Sequence, residues 1–298
     1  MVCVSRLAYI PRDSGKPSMT AGTPETNCPE VMVWATSRDE DDLRRSLNTR
    51  SAYCSMPYSG IRPETYGTLS YAPEQIESYM RLAVEHGFDI ACHAIGDEAN
   101  TIVLDCAERT HAHGSIEHAQ MLKERDIPRL AQLGLAASIQ PQHAMDDRDV
   151  IARFWGTPAG IPYAFNSLHK AGTKLLMGSD APVAPLDPWM AISAAVFGTE
   201  SSDREPFQPE QCLDFETALA SSTAVGRVAL RDADAADLVL LDCDPSIIDS
   251  PEAMRAMPEH VLALCLPVAG RTNRLNENRY VWQIPRCWKS QNRYMWQT

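Results

Sequence analysis

The chain has 298 residues, 44% of them apolar and 22% charged, and 27 basic against 39 acidic side chains give it a formal charge of −12. That length buries a core without staples, and so acidic a balance excludes a binder that tracks nucleic-acid phosphates. Nine cysteines are scattered singly, with no C-x-x-C pair, which argues against a zinc ribbon or a disulfide framework and for reduced thiols in the cytoplasm. No apolar run is long enough to span a bilayer, and the start, MVCVSRLAYIPRDSG, lacks an h-region, so neither a membrane partner nor a signal peptide is expected.

Residues 1–30, rich in Pro, Ser, Thr and Gly, read as a loose arm. A short β-like run follows, Val31-Met32-Val33-Trp34-Ala35, then a charged stretch from Arg38 to Arg45. From residue 70 the pattern becomes regular. Pro73 suits a first helical turn, and Ile76, Tyr79, Met80 and Ala83 recur at helical spacing up to Gly87. A strand is predicted from Phe88 to His93, a helix from about Glu98 to Glu108, and a strand over Ser115-Ile116-Glu117-His118. Asp126 is the expected N-cap of a helix ending near Gly134, and strand Leu135–Gln140 comes next. A last helix, Ala164–Lys170, stops at Gly172 and leads into strand Lys174–Gly178 and the pair Ser179-Asp180.

Repeated alternation of strand and helix implies parallel strands joined by helical crossovers. An open doubly wound sheet and a closed (β/α) barrel both satisfy that pattern, and the polar residues separate them. His93, His118 and Asp180 fall at the C-terminal ends of predicted strands, and His143 lies just beyond another. In a barrel those ends form one rim, where active-site groups converge. Imidazole and carboxylate are natural ligands for zinc or a similar divalent ion. A single histidine at a strand end is usually a packed residue; three with an aspartate form a pattern. The tempting pair His111-Ala112-His113 falls on the opposite, helix-to-strand side, where residues serve stability. His86, His169 and His260 are expected at the surface. No nucleophile elbow, phosphate loop or dinucleotide fingerprint is present.

Four motifs then occur in a telling order: His93-Ala94-Ile95-Gly96-Asp97, Ile116-Glu117-His118-Ala119-Gln120, Gln140-Pro141-Gln142-His143, and Gly178-Ser179-Asp180-Ala181-Pro182-Val183. Together with Asp187-Pro188-Trp189, Ala236 to Asp242 and Gly270-Arg271, this set resembles amidohydrolase family 3, over about residues 31–275. The resemblance implies an α/β fold: a partial (β/α)8 TIM-like barrel of the metal-dependent hydrolase type, about the fourth to eighth strands, with a remnant of a small β-sandwich domain. By it the chain divides into an unmatched arm (1–30), a partial barrel (31–230), a β-sandwich segment (231–275) and an unmatched tail (276–298) carrying Trp282, Trp288 and Trp296.

The resemblance further implies a hydrolase of non-peptide carbon–nitrogen bonds in amides, cyclic amides or formamides. His93, His118 and Asp180 are then metal ligands, Asp180 is also the proton shuttle, and His143 binds the carbonyl or the oxyanion. The family's H-x-H pair has no counterpart, and Met32 stands where a carboxylated lysine would bridge two metals. At most one weakly held zinc is therefore expected, since a thioether is a poor ligand for such a cation. Glu98 also replaces a usual arginine. The expected partners are a small amide-type substrate and, through open barrel edges, further copies of the chain. The other reading is a catalytically inactive remnant that serves in binding or assembly.

Overall fold

The computed structural model describes residues 30–31, 47, 49–155, 157–223, 238–265 and 280–283. The described residues divide into two compact units, one comprising those up to 139 together with 146–175, the other 140–145 together with 176 onward. The first is mixed α/β with a parallel sheet. Its strands β1 (Glu30–Val31), β2 (Asp89–Ala94), β3 (Gly114–His118) and β5 (Leu135–Ile139) pair in that order, all parallel. Ala137 N donates to the Lys174 carbonyl at 2.9 Å, immediately before strand β7 (Leu175–Met177). A two-residue antiparallel pair, β4 (Met121–Leu122) with β6 (Ile161–Pro162), lies outside this sheet.

The helices form where the apolar spacing demands them. In α1 (Pro73–Glu85), Pro73 occupies the first turn, the Gln75 side chain accepts from Ala72 N at 3.0 Å, and Ile76, Met80 and Ala83 form the buried stripe. Gly87 follows at φ +69°, the left-handed turn that glycine takes freely. Helix α2 (Asp97–Thr110) buries Val103, Leu104, Cys106 and Ala107. Strand β5 is buried along its whole length, as a strand covered on both faces must be. Gly114 opens β3 because a Cβ there would lie 1.9 Å from the Ile90 carbonyl oxygen, so only glycine lets β2 and β3 meet in register.

Asp126 departs from its expected part. It lies in a 3-10 turn ahead of α3 (Ile127–Gln132) and makes no capping bond. Fully buried, it accepts instead from the Thr101 hydroxyl and, at 3.0 Å, from Arg129 Nη1, while Nη2 of the same guanidinium reaches Asp105 and Glu108. Of the run Val31–Ala35 only Val31 lies within the described residues, in β1; Met32, the arm up to residue 29 and Trp288 and Trp296 lie outside them.

Helix α4 (Pro141–Phe154) lends its first turn to the second unit. There α6 (Pro188–Phe197) and α7 (Phe215–Ser222) start at Asp187 and Asp214, each an N-cap whose carboxylate accepts a backbone N–H from the first turn. Three antiparallel strands follow in the order β10 (Tyr280–Gln283), β8 (Leu238–Leu241), β9 (Val261–Cys265), with α8 (Pro251–Arg255) between β8 and β9 in sequence. No helix among the described residues is long and apolar enough to cross a membrane.

One buried side chain ties the turns that leave β2 and β3. Asn100 Nδ2 donates to the carbonyls of Gly96 at 2.9 Å and Met121 at 3.1 Å, while Ala119 N and Met121 N donate to Ala94 and Ile95 carbonyls. Asn100→Ala removes the amide donor from the Met121 carbonyl and leaves Gly96 only the backbone N–H of residue 100, and urea denaturation should show a loss of about 1–3 kcal/mol.

Candidate active site

His93 is the penultimate residue of β2 and His118 the last residue of β3, so both stand at the C-terminal edge of adjacent parallel strands. Strict alternation would part them. In the register His93 pairs with Glu117 and His118 with Ala94, so the two histidines should face opposite sides of the sheet. The backbone overrules the alternation: φ is +74° at His118 and +45° at Ala119. With that turn, the two imidazoles meet edge to face, 4.5 Å between ring centroids. A left-handed backbone at a non-glycine residue costs about 1–2 kcal/mol, and here it falls at a histidine that meets another histidine.

Cys92 points to the buried face of β2, and burial pushes its thiol up to about 12. Cys54 is raised to about 12 by burial first and by nearby Asp97 second. The two groups that meet at this edge are imidazoles.

In the second unit, His143 sits in the first turn of α4 and Asp180 three residues beyond β7. His143 Nε2 lies 3.3 Å from Asp180 Oδ2; the histidine is buried and the carboxyl about one-third exposed. Asp180 also has a left-handed backbone, φ +58°, and its carbonyl accepts from Val183 N at 2.9 Å in a tight turn. The first turn of α4 is held by a polar clamp: Gln142 Nε2 donates to Glu200 at 2.7 Å, and Arg255 donates to both Gln142 Oε1 and Glu200 at 3.2 Å. Gln142 belongs to the Gln140–His143 motif, whereas Glu200 and Arg255 carried no motif and were not singled out from the sequence.

The four residues expected at the site thus meet in two pairs, His93 with His118 and His143 with Asp180. His111, with φ +55°, caps the C-terminus of α2, and His113 precedes β3, so this H-x-H lies at the other end of the strand and is exposed. Glu98, the departure from the usual arginine, pairs with Lys123.

The profile described as "Amidohydrolase family" matches residues 22–264. The chain is 34% identical over 197 residues to protein LONG AFTER FAR-RED 3 of Arabidopsis thaliana, covering 63% of this chain and 34% of that protein. It is 30% identical over 220 residues to the putative amidohydrolase YtcJ of Bacillus subtilis, covering 68% and 41%. Among solved structures, an uncharacterized metal-dependent hydrolase from Pyrococcus horikoshii superposes with a TM-score of 0.57 at 28% identity, covering 71% of this chain and 41% of that one. Its counterpart from Pyrococcus furiosus gives 0.55 at 27%, covering 69% and 41%. The chain belongs to the amidohydrolase family. It spans between one-third and about two-fifths of the length of these relatives.

The strain at His118 can be isolated from its chemistry. His118→Gly and His118→Ala both remove the imidazole, but only glycine takes φ +74° without strain, so the glycine variant should be more stable by about 1 kcal/mol after its extra backbone entropy. Thermal unfolding of the two variants reads the difference.

Proposed function

We propose that this chain carries the catalytic edge of a metal-dependent hydrolase that cleaves non-peptide carbon–nitrogen bonds in amides, cyclic amides or formamides. The observation that carries the reading is the contact between His143 Nε2 and Asp180 Oδ2 in a chain of this family. Imidazole and carboxylate donors suit a borderline divalent ion such as zinc, and the two imidazoles that meet at adjacent strand ends are of that kind. His93, His118 and Asp180 would hold it. Bound there, the ion supplies Lewis acidity, which acidifies water and polarises the scissile carbonyl.

The remaining steps belong to the chain's own groups. Asp180, open enough to meet solvent, accepts the proton of the attacking water and returns it to the leaving nitrogen, which departs as a neutral amine. His143 donates to the carbonyl oxygen and stabilises the charge that develops on it. The polar clamp on Gln142 holds the turn that carries His143, and the tight turn at Val183 fixes the backbone of Asp180. The partial barrel and the β-sandwich remnant belong to the same reading, which the likeness to the two Pyrococcus hydrolases supports.

With no lysine at Met32 and no family H-x-H pair, this centre holds at most one ion, weakly. Alone, the chain turns over its substrates slowly and self-associates through unpaired strand edges. The test is hydrolysis of N-formyl amines and hydantoins by the purified chain with added zinc, alongside light scattering. Asp180→Asn should lower kcat/KM by at least about 100-fold, the usual loss with a general acid–base group. Turnover indifferent to Asp180→Asn overturns the role of Asp180, and a clean monomer overturns the self-association.

A further inference from the structure

A second cluster of metal-type donors lies in the C-terminal unit, on residues that the amidohydrolase reading leaves without a role. Asp242 and Cys243 follow directly on β8, and His260 directly precedes β9, the antiparallel neighbour of β8. The ladder brings them together: Leu241 pairs with Val261, next to a register shift at Leu240/Leu241, and Asp242 N donates to the His260 carbonyl at 3.2 Å. One ligand atom from each of Asp242, Cys243 and His260 lies within 4.8 Å of the other two. The carboxylate, the thiol and the imidazole thus converge from two backbone segments already pinned to each other.

We propose that Asp242, Cys243 and His260 form a binding site for one borderline-soft divalent cation, zinc by preference, which fastens the β8 end to the start of β9.

The donor chemistry selects the ion. One sulfur, one imidazole nitrogen and one carboxylate oxygen are three of the four positions of a tetrahedral zinc site, and sulfur disfavours magnesium and calcium. The fourth position takes water, because Asp242 is exposed. The thiol is placed rather than loose: it donates to Sδ of buried Met257 at 3.7 Å, which sets the direction of Sγ. His260 Nδ1 lies 2.8 Å from Asp242 Oδ1, a pairing of imidazole and carboxylate that keeps the two side chains side by side. The local field favours a cation. The carboxylates of Asp242 and Asp244 lie close enough to the thiol to act on it and attract a positive ion. On binding, Sγ loses its proton to solvent as the sulfur–metal bond forms; no electron is transferred, so the balance needs no other reactant.

The mechanical consequence follows from the connection. Residues 242–260 leave the sheet through two 3-10 turns and the short helix α8 before returning to β9. A metal bridging the two ends of that excursion closes it as a covalent staple would, and a closed loop loses less entropy on folding.

The experiment is cobalt(II) titration of the full chain, read by absorbance. A thiolate ligand gives a sulfur-to-cobalt charge-transfer band in the near ultraviolet, which a centre of His93, His118 and Asp180 has no sulfur to produce. Wild-type protein should show the band, Cys243→Ser and His260→Ala should lose it, and Asp180→Asn should keep it. Absence of the band in wild type, or its survival in Cys243→Ser, overturns the proposal, as does loss in Asp180→Asn with retention in His260→Ala. Should a variant fail to fold, the wild type alone decides. One equivalent of zinc should slow alkylation of Cys243, mapped by peptide mass spectrometry, and unchanged alkylation overturns the site.

Discussion

The side-chain amide of Asn100 ties together the strand ends that carry His93 and His118. Parallel strands end in backbone carbonyls that no crossover helix satisfies by itself, and a buried carbonyl without a donor costs about 1–3 kcal/mol. Here one NH2 group, fully buried, serves the turn after β2 and the turn after β3 together. The cost is visible in the same side chain: Asn100 Oδ1 is buried without a partner among the described residues. An oxygen is thus left unpaired so that two loops are held. Gly96, which a Cβ would drive to 2.0 Å from the Tyr53 carbonyl, and Asp97, whose carboxylate accepts from Ser55 N at 2.9 Å and from the Ser55 hydroxyl, close the same corner from the other side. His93 and His118 stand on turns that are bonded several times over.

That rigidity is what allows strain to persist where the imidazoles meet. A histidine at φ +74° relaxes unless its surroundings over-determine it. At His118 they do, because Ala119 and Met121 on its C-terminal side are both hydrogen-bonded back to β2 and its exit turn. Asp180 has the same backbone signature, held by the turn to Val183. Of the residues expected at the site, the two that depart from regular backbone are each drawn to a partner, His93 in one unit and His143 in the other.

Much of this was legible in the sequence, and the rest was hidden for identifiable reasons. Strands β2, β3, β5 and β7 and helices α1, α2 and α5 (Phe165–Lys170) fall where apolar spacing and the stops at Gly87 and Gly172 place them. The four polar residues were readable as a set from their positions at or just past strand ends. Helix α4 was not, although Pro141 starts it and Ala144, Met145, Ile151 and Phe154 lie on its buried side. The run Asp146-Asp147-Arg148-Asp149 looks like a solvated loop, yet Asp147 is buried and accepts from the Tyr163 hydroxyl at 2.6 Å. Asp126 misled in the same way: its place before α3 suggested a cap, but a buried carboxylate takes the strongest donors in reach, here Arg129 and Thr101. The meeting of His93 and His118 could not be read from periodicity at all, since it depends on breaking it.

The departure at Glu98 shows how a family position can change sign without loss of the local fold. A glutamate where an arginine is usual would place an acidic group in the first turn of α2, beside buried Asp97. Two features absorb it. The N-terminus of a helix favours negative charge, and Lys123, itself mostly buried, pairs with Glu98 while its ammonium also lies 3.9 Å from Asp97 Oδ2. The lysine comes from the segment just past β4, the strand whose Met121 carbonyl Asn100 holds. The charge of Glu98 is thereby turned toward the same corner that fixes the strand ends, so an acidic residue at this position reinforces the arrangement an unpaired one would disrupt.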